Sequence, residues 1–312
     1  MRMLPIALVA TVVSLLPAVC ARGEDKLDLK LHLTQGESRQ MTVSLDQTIQ
    51  QTVQSAAQQT SQSLSVTYTF AVADVDAKGN ATVSVRYDAV AFHAQTPSGR
   101  VDYDSSKPAT GQSPPMAGGL AALVGQGYAM TVSPQGSITQ VTGLQKMLDA
   151  VLARLNLPEG PLRVAAEKAV RQQLSEANLK QGLAQIFAPF PDHPVAVGES
   201  WSRTEQVNQG FPTKVETTYT LESRENGVAH VKVAGKAATA SNATMDLGPV
   251  KMTYDLKGDQ AGSLDIVEST GWTRQAELRQ HLAGSATLRN PVADPQTVPV
   301  TIQSTLKSEQ KP

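Results

Sequence analysis

Two stretches of the chain alternate apolar and polar residues, and this period of two constrains the fold more than any other feature. In each stretch one apolar face is interrupted by a turn and then resumes, as in a β-hairpin with one buried side. The first face consists of Val66, Tyr68, Phe70, Val72, Val83 and Val85, and the second of Val215, Thr217, Tyr219, Leu221, Val231 and Val233. The second turn contains Asn226-Gly227, a pair favoured where both turn residues need positive φ. Both stretches are predicted to be hairpins.

The two hairpins are flanked by matching segments in the same order. Gly36-Glu37-Ser38 precedes the first and Gly198-Glu199-Ser200 the second, while the turn-like segments 133–140 and 268–275 follow them. Three matches in one order predict a tandem repeat of one β-meander unit. We therefore expect two related β-halves, residues 22–142 and 190–306.

Between these halves the apolar period changes to that of an amphipathic helix. Three stripes occur, separated by Pro-containing breaks: Leu144, Leu148, Val151 and Leu155; Leu162, Ala166, Val170 and Leu174; Leu179, Leu183 and Ile186. Such helices need an apolar surface to cover. The predicted fold is α+β, mainly antiparallel β: two related β-meander halves forming a curved sheet or half-barrel, with a helical insert (143–189) packed on the apolar face.

Three segments look irregular. Residues 96–119 are rich in Pro, Gly and Ser and predict a loop. The glutamine-rich segment 47–63 is interpreted as a long, solvated hairpin tip. Residues 307–312 are predicted to be a disordered tail.

The N-terminus resembles a secretory signal. A short basic start, an apolar run and small residues near position 21 predict a signal peptide over residues 1–21. Cys20, the only cysteine, could instead be lipidated, but Val19 stands where a lipobox needs a small residue, which favours cleavage after Ala21. We expect a periplasmic or secreted bacterial protein, with lipid anchoring through Cys20 the less favoured alternative. No later apolar run is long enough to cross a membrane.

Motifs for chemistry are scarce. The net charge of −1 gives no electrostatic basis for binding nucleic acid. The five histidines show no metal-ligand spacing, and neither a nucleophile elbow nor a phosphate-binding glycine loop occurs. Asp74 to Gly79 resembles the start of a calcium loop, but Lys78 occupies a ligand position. The sequence predicts no catalytic residue, no metal site, no cofactor and no enzymatic activity.

Large aromatic residues are the best candidates for ligand contacts, because aromatics make up only 4% of the chain. The candidates are Trp201, Trp272, Tyr128, Tyr219 and Tyr254. The alternative, favoured here, is that they occupy the core or the edge of the sheet.

Taken together, the signal segment, the Gly-Glu-Ser entries, the hairpins, the helical insert and the Glu268-Ser269-Thr270-Gly271-Trp272 turn resemble an uncharacterised family of secreted bacterial proteins. That resemblance implies export and a β-rich fold, and it assigns no active-site residue. A looser likeness, in arrangement alone, is to periplasmic lipoprotein-carrier folds, in which a curved sheet wraps around helices.

Two functional hypotheses follow. The first is a non-enzymatic exported protein that binds a lipid or another apolar small molecule between sheet and helices. The second is a cell-envelope module that binds other proteins through exposed strand edges or the glutamine-rich hairpin. A hydrolase with dispersed catalytic residues is the least supported interpretation.

Overall fold

The computed structural model describes residues 25–53, 56–97, 99–107, 115–155, 159–184, 187, 190–207, 212–240, 243–247, 250–290 and 293–311. The predicted signal peptide and Cys20 lie outside the described residues. Among those described, no helix is both long enough and apolar enough to cross a membrane.

The described chain is built mainly from β-strands. The strands are β1 (Ser38–Val53), β2 (Ala56–Val75), β3 (Ala81–Thr96), β4 (Gly99–Asp104), β5 (Gly127–Val132), β6 (Ile138–Thr142), β7 (Ser200–Val207), β8 (Thr213–Glu225), β9 (Val228–Thr239), β10 (Thr244–Leu247), β11 (Val250–Val267), β12 (Thr273–Asn290) and β13 (Ala293–Gln310). The helices are α1 (Pro115–Leu123), α2 (Leu144–Leu155), α3 (Pro161–Gln173) and α4 (Glu176–Ala184).

All of these strands join one antiparallel sheet. Its order is β6-β5-β3-β2-β1-β13-β12-β11-β9-β8-β7, with β4 paired to β3 and β10 paired to β11. The strands β6 and β7 form the two edges, and the described residues contain no pairing between them. The sheet is therefore open, and the predicted α+β, mainly antiparallel class is confirmed.

The tandem repeat is visible in the sheet. The first half has the neighbour order β1-β2-β3-β5-β6 and the second has β7-β8-β9-β11-β12, with β13 joining the halves between β1 and β12. The two entry turns share one bonding pattern, since the amide of Gly36 donates to Val72 and that of Gly198 donates to Leu221. Both glycines have positive φ, 84° and 91°. The two predicted halves thus share one order of strands and one hydrogen-bond pattern at the entry turn.

A short extended segment before β1 ties the halves together. Leu27 pairs with Val195, the amide of Leu31 donates to the carbonyl of Pro134, and the amide of His32 donates to that of Thr270. These partners lie at turns of both halves. Leu29, in the middle of the segment, is only 1% exposed, so this segment is part of the core.

The sheet curves so that residues of distant strands meet in one core. The rings of Phe70 in β2 and Trp272, next to β12, lie 5.8 Å apart, although three strand spacings, about 14 Å, separate these strands in the sheet. Two glycines of β11 allow close strand approach: an added Cβ would lie 1.7 Å from the His281 oxygen at Gly258 and 1.9 Å from the Glu277 oxygen at Gly262. Glycines in strand interiors commonly mark such tight bends.

The helices cover part of one face of the sheet. Met147, Val151, Leu179 and Leu183, from α2 and α4, are buried in the same core as Phe70. Phe187, after α4, contacts both Phe70 and Trp272, with ring centroids 6.0 and 5.5 Å away. This agrees with the predicted packing of a helical insert on the apolar face.

Three segments differ from their predicted irregular structure. Residues 307–310 belong to β13 and pair with β1, because the apolar alternation of β13 continues through Leu306 to the buried Ser308. Within 96–119, residues 99–104 form β4 and α1 begins at Pro115; residues 108–114 lie outside the described chain. Residues 47–63 form the end of the β1–β2 hairpin, as predicted, but most of their described side chains are half-buried rather than fully solvated.

Candidate functional site: the inner face of the sheet

The inner face is defined here as the face on which Phe70 and the helices lie. Because side chains alternate across a strand, every second residue of each strand points to this face. The pairing registers then place these residues in rows that run across the strands. Three adjacent zones follow along the strand direction: a packed aromatic zone, a central zone and a second apolar zone.

The aromatic zone lies next to the helices and is filled by side chains. Its rings form a continuous series of contacts with centroid distances of 5.1 to 6.4 Å, in the order Tyr128, Tyr87, Tyr68, Phe70, Trp272 and Phe187. Burial in this zone raises the pKa of the Tyr87 and Tyr128 hydroxyls well above the ordinary value. Side chains therefore occupy the space where the sequence placed an apolar ligand.

The central zone begins with four half-buried leucines that face one another in register. This leucine row consists of Leu64, Leu45, Leu306 and Leu278, from β2, β1, β13 and β12. Each is partly exposed, unlike Leu264 and Leu221 deeper in the core. The row is an apolar surface that the described helices leave partly uncovered.

The next row across the same strands is polar. This amide row consists of Gln62, Gln47, Ser304, Gln280 and Gln260, from β2, β1, β13, β12 and β11. Gln62 Nε2 donates to Gln47 Oε1 at 2.8 Å, and Gln47 Nε2 donates to Ser304 Oγ at 3.2 Å. Three members of the row are thus linked by hydrogen bonds.

The other two amides are free. The side-chain amides of Gln260 and Gln280 face each other across β11 and β12 and make no hydrogen bond to another described residue. Gln260 has Gly258 and Gly262 beside it on its own strand and Gly235 opposite it on β9. Because these three neighbours have no side chain, none of them covers the Gln260 amide, although a Cβ added at any of them would lie 1.7 to 2.8 Å from a backbone oxygen of the adjacent strand.

Beyond the amide row lies a second apolar zone. Its buried members are Val215, Ala237, Tyr254, Leu256, Leu282, Ala286, Val298, Val300 and Ile302. Leu256 and Ile302 are 0% and 2% exposed. The polar row is therefore enclosed between two apolar zones on one face.

Charged groups on this face near the free amides are confined to the edge strand. Arg203 and Glu205 lie on β7, three strands from Gln260, and the Arg203 guanidinium donates to the carbonyl of Phe190. On the other face, ion pairs link neighbouring strands, as in the contact of His230 with Asp265 at 2.8 Å. The centre of the inner face is thus polar without being charged.

The predicted ligand contacts are all buried. Trp201 and Tyr219 stack at 5.6 Å on β7 and β8, and burial raises the pKa of Tyr219 to about 12. Trp272 and Tyr128 belong to the aromatic zone, and Tyr254 to the second apolar zone. None is more than 8% exposed, and their role as ligand contacts stays a prediction.

The sequence interpretation missed the amide row. The glutamine content of residues 47–63 predicts a solvated tip that would include Gln47 and Gln62. The alternation of residues along β1 is the signal that identifies this row. Met41, Val43 and Leu45 point to the core, so Gln47, two residues after Leu45, lies on the same face.

The opposite face carries an open polar cleft of about 390 Å³ over β1 to β4. Here His93 Nδ1 lies 2.7 Å from Asp102 Oδ1, and Arg100 contacts the same carboxylate, which lowers the pKa of Asp102.

No group of three or more His, Cys, Asp or Glu side chains suited to a metal occurs in the described part of the chain.

The chain belongs to the family of unknown function DUF6263, whose profile matches residues 78–273. This confirms the predicted membership of an uncharacterised family, and the described chain is β-rich. The looser likeness to lipoprotein-carrier folds concerned arrangement, a curved sheet with helices on one face, and the structure has that arrangement.

No curated protein matches the sequence. Among solved structures, one described as "Lipid-protein interactions in lipovitellin" is 10% identical over 89% of this chain, with a TM-score of 0.48. The chain spans 25% of that protein's length. Pseudomonas aeruginosa OpdQ and OccK5 (OpdH) are each 7% identical over 88% of this chain, covering 99% and 98% of their own lengths, with TM-scores of 0.20 and 0.18. Similarities this low do not extend to function.

Proposed function

We propose that the protein is an exported, non-enzymatic binding protein that takes an apolar or amphipathic small molecule, such as a lipid, on the inner face of its sheet. The observation that carries this proposal is the leucine row, which offers four half-buried apolar side chains in register beside a polar row. A ligand with an alkyl chain would bury this surface. Transfer of apolar area from water is worth about 25 cal/mol per Å².

The position differs from the one that the sequence suggested. Buried side chains of α2 and α4 fill the space between helices and sheet, so the ligand would lie beside the helices, along the uncovered leucine row. No catalytic step is part of the proposal.

Binding of a fluorescent alkyl probe to the purified mature protein tests this function. Leu278→Gln and Leu306→Gln should each weaken binding about tenfold, since each places an amide against the alkyl chain and about 1.4 kcal/mol corresponds to tenfold in affinity. Val164→Gln is the control, because Val164 is 67% exposed on α3. Equal binding by all three variants would contradict the proposal.

Export can be tested separately. The mass of the protein recovered from its native envelope should correspond to a chain beginning at Arg22, after loss of residues 1–21. A mass that includes an acylated Cys20 would instead show lipid anchoring.

A second candidate is an envelope interaction module, favoured by the open edge of the sheet. The edge of β7 that points away from β8 has no strand partner among the described residues. Such an edge can add a strand from another protein. Thr204→Lys would place a charge on this edge. A protein cross-linked to the wild type in the envelope but lost with Thr204→Lys would support this candidate.

A further inference from the structure

The free amides of the central zone point to the polar group of the ligand. We infer that Gln260 and Gln280 select an amphipathic molecule whose polar group is uncharged and offers both a hydroxyl and a carbonyl, as a monoacylglycerol does, over one with an ionic headgroup. This inference rests on the proposed function, because it assigns the headgroup end of the same site.

The two amides together have unused hydrogen-bonding capacity of both kinds. A primary amide offers two N–H donors and one carbonyl acceptor. The amides of Gln260 and Gln280 are half-buried and unused by other described side chains. Leaving such groups unpaired when a ligand excludes water would be costly. A ligand that covers this zone must therefore supply both donors and acceptors.

The residues beside the two amides differ in size. Gly258, Gly262 and Gly235 leave the backbone bare around Gln260, while Leu278 and Leu282 of β12 flank Gln280 along its strand. A small polar group over Gln260 and Gln280 can reach both amides, because the two residues face each other across β11 and β12. The alkyl chain can then run along the leucine row from Leu278 toward Leu64.

Charge also bears on the ligand's polar group. By strand register, the charged side chains of this face nearest the free amides in the described chain are Arg203 and Glu205 on β7, with β8 and β9 lying between β7 and β11. Arg203 is already engaged by the Phe190 carbonyl. An ionic headgroup at Gln260 would lose hydration without gaining an opposite charge, whereas a neutral group loses far less. The site therefore disfavours phosphate and ammonium headgroups.

The test compares two ligands with the same oleoyl chain, monooleoylglycerol and oleoyl lysophosphatidate, binding to the full mature protein below their critical micelle concentrations. Native mass spectrometry or calorimetry measures each affinity. We expect at least tenfold tighter binding of the neutral ligand. The double variant Gln260→Leu/Gln280→Leu should lose about tenfold in affinity for monooleoylglycerol, since two hydrogen bonds are removed.

The matched control is Gln275→Leu/Gln303→Leu, which changes two exposed glutamines of β12 and β13 on the other face. It should keep the wild-type preference. Equal affinity of the wild type for both ligands, or an undiminished preference in Gln260→Leu/Gln280→Leu, would overturn the inference while leaving the proposed function intact. Binding of neither ligand would overturn both.

Discussion

Replacing Gly262 by alanine should destabilise the protein because β11 and β12 lie too close for a side chain there. An added Cβ would lie 1.9 Å from the Glu277 carbonyl oxygen and 2.9 Å from both the Glu277 carbonyl carbon and the Leu278 Cα. All three are backbone atoms of the paired strand, so no side-chain rotation relieves the contact. Overpacking of this kind costs about 1–3 kcal/mol, and we expect the upper half of that range, a fall in melting temperature of roughly 3–5 °C for a chain of this length.

The same substitution at Gly118 should instead stabilise the protein. Gly118 lies inside α1, and an added Cβ there meets no atom within 4 Å. Alanine in a helix interior is favoured over glycine by about 0.5–1 kcal/mol. Urea unfolding followed by circular dichroism measures both variants. A Gly262→Ala protein as stable as the wild type would refute the close approach of β11 and β12 on which the curvature argument depends.

Three further outcomes are expected. Trp272→Ala should lower the free energy of unfolding by about 3–5 kcal/mol, because the ring is 1% exposed and lies between Phe70 and Phe187. Trp272→Phe should lower it by less. Urea titrations of the two variants measure the difference. Hydrogen bonds from Arg224 hold the pKa of Glu268 below 4.5, so its stabilisation is complete above pH 4.5 and lost as pH falls through the folded pKa. Glu268→Gln should flatten that acid limb in thermal melts at a series of pH values. Asn226→Ala should cost about 1 kcal/mol, since Asn226 has φ of 52°; an unchanged melting temperature would contradict this.

The repeat was readable from the sequence because it depends on local signals. Gly36 and Gly198 open equivalent turns, and Asn226-Gly227 fixes a hairpin through positive φ. The change to a helical period after position 143 likewise depends only on residues within one segment. Short-range patterns of this kind need no knowledge of the partner strand.

The candidate site was not readable in the same way. Gln260 and Gln280 are 20 positions apart, and their pairing follows from the register of β11 with β12. Composition was misleading at Gln47, where many glutamines suggested solvent although the strand continued. The five aromatic candidates were scarce, large residues, and the structure buries all of them.

By itself, the sequence determined the strand phase, the turn positions, the helical insert and the tandem arrangement, because each follows from the spacing of apolar, glycine and asparagine residues along the chain. Only the tertiary structure decided that β13 joins β1 to β12, that the C-terminal residues complete the sheet, and that four amides and a serine from five strands form one row. The physical reason is that a row across a sheet is set by hydrogen-bond register between distant segments. A shift of one residue in that register would move each side chain to the other face.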